Sequence, residues 1–213
     1  MLTLQTELSV IVARHPENGT VTLPAVENIH ANGILETTLY PPRVSKELTA
    51  EAEQIALSIA QALDIYGMLC VEFFLVKHNE QPFLLVNEIA PRPHNSGHIT
   101  RCSLTRSQFD LLAQTLMDMP ISTEPISEHI QWAMWNTLGD LWRLTSRPDY
   151  TFWPKSLLSD SHVCEAMLYG KTEARTGRKM GHVILKHDSP ECLFQTIDAL
   201  KNTFNLESRN QNQ

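Results

Sequence analysis

The spacing of apolar and polar positions predicts two strands and then a helix in the first third of the chain. Residues 7–14 and 20–27 alternate between apolar and polar side chains, and the residues between them include the Pro and Gly that favour a hairpin turn. From residue 48 to residue 63 the apolar positions recur at helical spacing, with Thr49 placed to cap the first turn. This change of period predicts an α+β fold.

The second half of the chain continues the same mixture. A helix is predicted for residues 105–119, with Phe109, Leu112 and Leu116 on its inward face. Further strands and a final helix are predicted at residues 130–138, 162–169, 182–187 and 190–204. We assign the two tryptophans in the first of these strands to the core, because aromatic side chains at such spacing more often pack than stack on bases.

Two apolar segments separated by five residues that include Asn and Pro predict a β-hairpin at residues 67–77 and 83–90. A turn centred on Glu80 would place Lys77 opposite Phe83 and Glu72 opposite Glu88. Like charges on directly opposed positions destabilise a strand pair, and both carboxylates lie within apolar strands. The pattern therefore needs a physical explanation.

A divalent cation would remove the conflict between Glu72 and Glu88. Two carboxylates, with the remaining coordination positions taken by water or phosphate, are typical of a magnesium–nucleotide site. The alternative is a β-bulge that shifts the register by one residue and turns one glutamate to solvent.

The hairpin leads directly into a polar segment, residues 86–100, with the sequence VNEIAPRPHNSGHIT. Its two prolines predict a stiff, non-helical arm. The arm carries a cation, two imidazoles, an amide and a hydroxyl: Arg92, His94, Asn95, Ser96 and His98. A well-hydrated loop is the alternative interpretation. A zinc site formed by the two histidines is disfavoured, since their four-residue spacing brings them together only on a helix.

A second polar segment, residues 170–182, reads GKTEARTGRKMGH. It contains three of the eight glycines and four cations against one acid, Glu173. The cations are Lys171, Arg175, Arg178 and Lys179. Glycine-rich backbone with Lys and Arg is suited to holding a phosphate, whereas a solvated charge run, the alternative, does not need three glycines.

Composition narrows the class of protein. The 213 residues allow one or two domains, and the net charge of −7 disfavours a general nucleic-acid binder. The four cysteines have no CxxC spacing, which favours reduced thiols in a cytoplasmic protein. We expect neither a secretory signal nor a membrane span, because the chain shows no basic-then-apolar leader and no apolar run of about 18 residues.

The hairpin and the arm resemble one enzyme family. GMLCVEFFLV at residues 67–76 and LLVNEIAPRPHNSGH at residues 84–98 resemble the carboxy-terminal half of 5-(carboxyamino)imidazole ribonucleotide synthases, ATP-grasp enzymes also described as the ATPase subunit of phosphoribosylaminoimidazole carboxylase. The resemblance implies a mostly antiparallel ATP-grasp sheet with flanking helices, a small carboxy-terminal β-rich domain, and no amino-terminal domain. It implies a partial nucleotide-binding domain at residues 1–119 and a substrate-phosphate domain at residues 120–213.

The resemblance also implies a reaction and its substrates. ATP would phosphorylate bicarbonate to carboxyphosphate, and 5-aminoimidazole ribonucleotide would then be carboxylated, in purine (IMP) biosynthesis. Nucleotide contacts are implied for Glu7, His30, Asn87 and Glu88, and magnesium ligation for Glu72 and Glu88. Arg92 would steady bicarbonate and carboxyphosphate, while His94, Asn95 and Ser96 would orient the imidazole or the intermediate, and proton transfer is an alternative role for His94. A satisfied structural histidine is the alternative for His30.

The family's KXXARPGRKMGH segment matches the second polar segment except at Thr176, where proline is usual. This match implies Lys171 and Arg178 as ligands of the substrate's 5′-phosphate, with Arg175 and Lys179 in support. Ile99 also departs from the family, which commonly has a tryptophan after NSGH.

The family's amino-terminal domain, its phosphate-binding lysines and its glycine-rich lid have no counterpart in these residues. Three hypotheses follow: a fragment or split subunit that needs a separate amino-terminal half, another ATP-grasp carboxylate–amine ligase, or a non-catalytic remnant that binds a partner. The resemblance further implies that the full-length family forms homodimers, without nucleic acid or membrane partners.

Overall fold

The computed structural model describes residues 2–79, 81–127, 129–143 and 153–210. The chain divides into two compact units, which are Met1–Ile29 with Thr38–Glu128, and His30–Thr37 with His129–Gln213. These bounds differ from the predicted division after residue 119. Residues 120–128 belong to unit 1, and the tip of an early hairpin, residues 30–37, belongs to unit 2. The assignment of nucleotide and phosphate binding to the two domains stays a prediction.

Unit 1 is built on an antiparallel sheet. Its strands are β1 (Thr3–His15), β2 (Gly19–Thr22), β3 (Val26–Ala31), β4 (Ile34–Tyr40), β5 (Gly67–His78) and β6 (Gln81–Ala90), except that residues 30–37 of β3, β4 and their turn belong to unit 2. The order β6-β5-β1-β3 places β1 centrally, and β2 pairs with the far end of β1. The single strand predicted for residues 20–27 is in fact two strands. Pro24 lacks a backbone N–H and interrupts the ladder between them.

Alternate residues of the unit 1 sheet enter two different apolar cores. Helix α1 (Lys46–Ala62) covers one face, where its buried Ala52, Ala56 and Ala60 pack in one cluster with β1 and β5 residues such as Leu8 and Phe73. Three alanines on one face let the helix backbone approach the strands closely. The cap is Ser45, which accepts a hydrogen bond from Leu48 N at 3.4 Å, so the prediction of Thr49 was wrong.

The predicted hairpin is confirmed as β5 and β6. Glu72 lies directly opposite Glu88, as predicted, but Lys77 pairs with Pro82 and not with Phe83. The register shifts by one residue between Glu72 and Phe73, and Asn87 is the extra residue. Glu80, the predicted centre of the turn, lies outside the described residues.

The segment after β6 covers the other face of the sheet. Residues 90–93 are non-helical, as predicted, but Ser96–Ile99 forms a 3₁₀ helix that leads into helix α2 (Thr100–Ser103). Helix α3 (Gln108–Leu116) begins at Ser107, which forms a capping box with Asp110.

The predicted inward face of this helix was wrong for two residues of three. Leu111 is fully buried, whereas Phe109 and Leu116 are 36% and 61% exposed. The hydrophobic pattern gave the wrong buried face because two polar residues, Gln108 and Thr115, lie on that face together with Leu111.

Unit 2 contains antiparallel strands and helices. In chain order these are β7 (Gln131–Leu138), α4 (Gly139–Arg143), α5 (Lys155–Leu158), β8 (Val163–Leu168), β9 (Lys179–His187) and α6 (Pro190–Asn210). The strand order is β7-β9-β8. Trp135 and Trp142 each meet the ring of Phe204 edge to face, with centroids 6.4 Å and 5.4 Å away. This confirms the core assignment of the strand tryptophans, since Trp132 and Trp135 are both buried. No helix within the described part of the chain is long and apolar enough to cross a membrane.

Candidate active site

The two opposed glutamates lie at the open end of the β5–β6 hairpin, away from its turn and close to the buried Cys70. Burial raises the pKa of Cys70, the charges of Glu72 and Glu88 raise it further, and the charge of Arg92 lowers it. All three charged groups therefore lie close enough to act on one sulfur atom. Side chains of directly opposite residues project to the same face of a sheet, so the two carboxylates share the face on which Cys70 is buried.

His94 connects the polar arm to Glu72. Its Nε2 lies 3.2 Å from Glu72 Oε1, and its Nδ1 lies 2.8 Å from Ser96 Oγ. The side chain of His94 is 14% exposed and that of Glu72 is 19% exposed, so the contact is shielded but still reachable from solvent. The arm therefore positions an imidazole against one of the two carboxylates, which sequence spacing alone did not predict.

A line of buried polar side chains continues from Ser96 across the sheet. Ser96 Oγ lies 2.7 Å from Ser9 Oγ, and Ser9 accepts a hydrogen bond from Asn28 Nδ2 at 2.9 Å. Asn28 Oδ1 in turn accepts one from Thr38 Oγ1 at 3.0 Å. The last four residues of this line are each at most 3% exposed. In the sequence, the one indication of this line was Ser9, a polar residue within the otherwise apolar segment of β1.

Gln108 fixes the backbone of the arm at His94. Its Oε1 accepts a hydrogen bond from His94 N at 2.9 Å, and its Nε2 donates one to His94 O at 2.8 Å. Gln108 is fully buried, and its own backbone N donates to Thr100 Oγ1 at 2.9 Å. A Cβ atom at Gly97 would lie 2.4 Å from Gln108 Oε1, so this glycine is required for close packing. We did not predict a role for Gln108 from the sequence.

The other predicted residues of this region are more exposed than His94 or contact different partners. Arg92 is exposed and donates from Nη1 to Pro93 O at 3.1 Å, and Asn87 is exposed at the bulge. The ring of His98 stacks on the ring of Phe109, with the two centroids 5.5 Å apart. The functional roles predicted for Arg92, Asn95 and Asn87 are not tested by these contacts.

Two of the residues predicted to contact ATP, Glu7 and His30, lie on strands other than the β5–β6 hairpin. Glu7 is on β1, paired with Asn28 of β3 on one side and Phe74 of β5 on the other. Glu7 and Ser9, two residues apart in a strand, project to the same face. His30 is on β3, in the part of the hairpin assigned to unit 2. Their nucleotide roles stay predictions.

A further acidic residue, Glu27, lies on the face of the sheet covered by α1. Arg43 donates to both of its carboxylate oxygens, at 3.1 Å from Nε and 2.6 Å from Nη2. Burial alone would raise the pKa of Glu27, but the hydrogen bonds and the charge of Arg43 outweigh it and lower the pKa below its ordinary value. This pair stabilises the fold and lies away from the opposed glutamates.

The cation segment of unit 2 forms a turn between β8 and β9. Lys171 Nζ donates to Lys179 O at 2.5 Å, and its pKa is lowered by partial burial and by the charge of Arg178. Arg178 Nη1 donates to Glu173 O at 3.0 Å, whereas Arg175 forms an exposed ion pair with Glu173 at 2.7 Å. The charge of Arg178 thus acts on Lys171, and the phosphate role predicted for the two cations stays a prediction.

Gly177 shapes this turn. It has a φ of +70°, and its backbone N donates to Asp140 Oδ2 at 2.7 Å. The left-handed backbone is readily adopted by glycine, which explains part of the glycine content noted in the sequence. The strand β9 begins at Lys179, so the last residues of the predicted loop are in the sheet.

A buried histidine lies beneath the same turn. His182 is 1% exposed, and it lies between Tyr169 OH, 2.8 Å from Nδ1, and Glu165 Oε1, 3.1 Å from Nε2. The ring of Tyr169 lies 5.5 Å from Lys171 Nζ. This cation–π contact holds the Lys171 ammonium near the Tyr169 ring, and we did not predict it from the sequence.

Comparisons with known proteins agree with this architecture. Residues 1–109 match the model of the ATP-grasp domain, and residues 133–195 match that of the phosphoribosylaminoimidazole carboxylase C-terminal domain. The chain is 37% identical over 191 residues to the N5-carboxyaminoimidazole ribonucleotide synthase of Bacillus subtilis, covering 90% of this chain and 47% of that protein. It is 34% identical over 194 residues to that of Escherichia coli, covering 91% and 49%.

Solved structures show the same correspondence. The crystal structure of an N5-carboxyaminoimidazole ribonucleotide synthetase in complex with ADP superposes with a TM-score of 0.80 at 32% identity, covering 96% of this chain and 50% of that one. An Aspergillus clavatus synthase in complex with ADP and 5-aminoimidazole ribonucleotide has a TM-score of 0.78 at 27% identity, with 95% and 52% covered. The chain spans about half the length of the relatives it matches. Both the sequence and the fold show that this chain belongs to the ATP-grasp family, with similarity to the carboxy-terminal half of N5-carboxyaminoimidazole ribonucleotide synthases.

Proposed function

We propose that this chain provides half of an ATP-dependent ligase that carboxylates 5-aminoimidazole ribonucleotide with bicarbonate, through carboxyphosphate, in cytoplasmic purine biosynthesis. The observation that carries the proposal is the opposition of Glu72 and Glu88 beside His94 and near Arg92. The complex of the Aspergillus relative with ADP and 5-aminoimidazole ribonucleotide supports the choice of ligands.

The residues fit Mg²⁺ in one particular way. Among the described residues, no three His, Cys, Asp or Glu side chains are grouped to hold a metal ion by themselves. Mg²⁺ usually keeps several waters and is held by one or two carboxylates together with substrate phosphates, which is what Glu72 and Glu88 offer. When bound with nucleotide, the ion would neutralise charge on the terminal phosphates.

The chain's own residues have separate tasks in this proposal. Glu7, His30 and Asn87 bind the nucleotide, and the Glu7 carboxylate is suited to accept the ribose hydroxyls. The planar guanidinium of Arg92 binds two oxygens of bicarbonate or carboxyphosphate. His94, Asn95 and Ser96 orient the imidazole of the acceptor. Such positioning and charge neutralisation are the main requirements of phosphoryl transfer.

Unit 2 binds the 5′-phosphate of the ribonucleotide. Lys171 and Arg178 are its ligands, supported by the proximity of their charges, by the left-handed glycine turn and by the lowered pKa of Lys171. Arg175 and Lys179 have supporting positions, with Arg175 held by Glu173.

The test is complementation. The chain is mixed with ATP, Mg²⁺, bicarbonate and 5-aminoimidazole ribonucleotide, with and without a separately expressed amino-terminal half of the Bacillus subtilis relative, and phosphate release is followed. We expect release only when both halves are present. Glu88→Gln should abolish it, and Glu51→Gln, an exposed change on α1, should leave it intact.

The other outcomes decide between the alternatives. No release under either condition, from folded protein, favours a non-catalytic remnant that binds a partner. Release that depends on ATP but continues without 5-aminoimidazole ribonucleotide, when another amine is supplied, favours a different ATP-grasp ligase. Full turnover by the Glu88→Gln variant would contradict the magnesium assignment.

A further inference from the structure

The side-chain amide of Gln108 binds both backbone groups of His94, and the backbone fixes the direction of each hydrogen bond. A backbone N–H can only donate and a backbone carbonyl can only accept. Gln108 Oε1 therefore faces His94 N at 2.9 Å, and Nε2 faces His94 O at 2.8 Å. Nε2 also lies 3.4 Å from His98 Nδ1. The amide thus pairs with His94 as a neighbouring strand would, although His94 lies in neither a strand nor a helix.

Thr100 connects the same two segments a second time. Its Oγ1 accepts a hydrogen bond from Gln108 N at 2.9 Å and donates one to Gly97 O at 2.6 Å. These directions are fixed as well, because one partner is a backbone N–H and the other a backbone carbonyl. Thr100 is 5% exposed and Gln108 is fully buried. The backbone from His94 to Gly97 is therefore held at both of its ends through the first residue of α3.

The first turn of α3 gives these contacts a rigid base. Ser107 immediately precedes Gln108 and forms a reciprocal capping box with Asp110, with hydrogen bonds of 2.8 Å and 3.3 Å. A Cβ atom on Gly97 would collide with the Gln108 side chain, so the amide packs directly against the arm. The position of the arm is thus determined by α3.

We propose that Gln108 and Thr100 are positioning residues, which set the backbone between His94 and Gly97 for the acceptor, 5-aminoimidazole ribonucleotide. Both residues bind main-chain groups of this segment, so they fix the points from which its side chains extend. The proposal deepens the proposed function and rests on it for the identity of the acceptor. The positioning of the arm is a property of the chain by itself.

The expected effect on the reaction is selective for the acceptor. The proposed nucleotide and magnesium contacts Glu7 and Glu88 lie on β1 and β6, whose positions are set by strand pairing. The residues that orient the acceptor in the proposed function lie on the arm. Loss of the Gln108 contacts should therefore misplace the acceptor against a correctly bound nucleotide, and a displacement of about 1 Å can cost about a hundredfold in rate.

Gln108→Leu is tested first in the isolated chain, where no ligand is needed. Nuclear Overhauser effects between the His94 ring and the Glu72 methylene groups report the position of the arm, because Nε2 and Oε1 lie 3.2 Å apart. We expect these effects in the wild type and in Gln114→Leu, a control on the same helix, and we expect their loss in Gln108→Leu. Their absence from the wild type, or their retention in folded Gln108→Leu, would overturn the proposal.

Thr100→Val decides if the backbone amide spectrum shows that Gln108→Leu does not fold. The change keeps the shape of the side chain and removes the hydroxyl that joins α3 to Gly97 O. Thr115→Val is the matched control, because Thr115 is also buried and its hydroxyl donates to Leu111 O within α3 at 2.8 Å. We expect the Overhauser effects to be lost in Thr100→Val alone, and equal behaviour of the two valine variants would overturn the proposal.

The complementation assay supplies the kinetic readout. We expect Gln108→Leu to lower kcat/KM for 5-aminoimidazole ribonucleotide by about 10–100-fold and to leave KM for ATP unchanged. A merely structural role would lower kcat in proportion to the folded fraction and leave both KM values unchanged, and this result would overturn the proposal. Absence of turnover with the wild-type chain would refute the proposed function, and the Overhauser effects in the isolated chain would still decide whether Gln108 positions the arm.

Discussion

Replacing Gln108 by leucine tests whether a buried amide holds the polar arm in place. Gln108 donates to one backbone group of His94 and accepts from the other, through hydrogen bonds of 2.8 Å and 2.9 Å. Leucine has nearly the same size but can form neither bond. The change therefore leaves two backbone groups of His94 without their partners and also removes the contact of Gln108 Nε2 with His98 Nδ1 at 3.4 Å.

The expected magnitude follows from those two groups. An unpaired buried backbone group costs about 1–3 kcal/mol, and the more apolar leucine regains about 1 kcal/mol through burial. We expect Gln108→Leu to lower the free energy of unfolding by about 3 kcal/mol. Urea unfolding followed by far-UV circular dichroism measures the loss, and hydrogen exchange should localise it to α3 and the arm.

Gln114 provides the matched control on the same helix. Its Oε1 is buried without a hydrogen-bond partner, so Gln114→Leu removes no bond at that oxygen and should be neutral or slightly stabilising. Equal destabilisation by the two leucine variants would refute the reasoning, because it would show that any polar-to-apolar change on α3 has the same effect. A loss confined to Gln108→Leu supports it.

Three further experiments test other parts of the chain. Iodoacetamide should modify the exposed Cys164 in the native chain well before the buried Cys70, because burial and the neighbouring carboxylates raise the pKa of the Cys70 thiol. Mass spectrometry of native and unfolded samples measures the two rates of modification, and equal rates in the native chain would contradict the prediction. Despite its burial, Glu27 has a pKa that Arg43 lowers from 4.5, so its stabilising contribution is complete above pH 4.5 and is lost as the pH falls through the lower folded-state pKa. Glu27→Gln should remove that part of the acid sensitivity in urea titrations at several pH values, and an unchanged pH profile would count against it. Gly97→Ala should destabilise by about 2 kcal/mol or more, since the added methyl would lie 2.4 Å from side-chain atoms of two neighbours; a melting temperature equal to wild type would show that the neighbours move.

The regular elements of the fold could be predicted because their signals are local. Strand alternation, helical spacing and the apolar hairpin each depend on residues close in sequence, and these elements are confirmed with shifts in their ends, apart from residues 20–27, which contribute to two strands. The error in the buried face of α3 arose because a distant contact overrides the local pattern. Helix α3 buries Gln108 because that amide meets the backbone of His94, a contact that no periodicity encodes.

The candidate site was predictable to the extent that chemistry accumulates in one segment. The arm and the opposed glutamates could be found from the sequence, since both lie within 30 residues of each other. The supporting line through Ser9 and Asn28 could not, because it joins three strands and the arm across as many as 87 residues. A lone serine in an apolar strand is a weak signal until its partner is known.

The bulge at Asn87 explains how an incorrect turn led to the correct pair of glutamates. The hairpin pairs Lys77 with Pro82, one residue away from the prediction, and this offset alone would place Glu72 opposite Asn87. The extra residue in β6 cancels the offset, so Glu72 meets Glu88. Asn87 is thus the one position in this part of β6 that strand pairing does not constrain, and bulges next to active sites commonly re-aim a side chain. The alternative in which a bulge separates the two carboxylates fails for a specific reason: the bulge lies on the turn side of the pair and not between the pair and the arm.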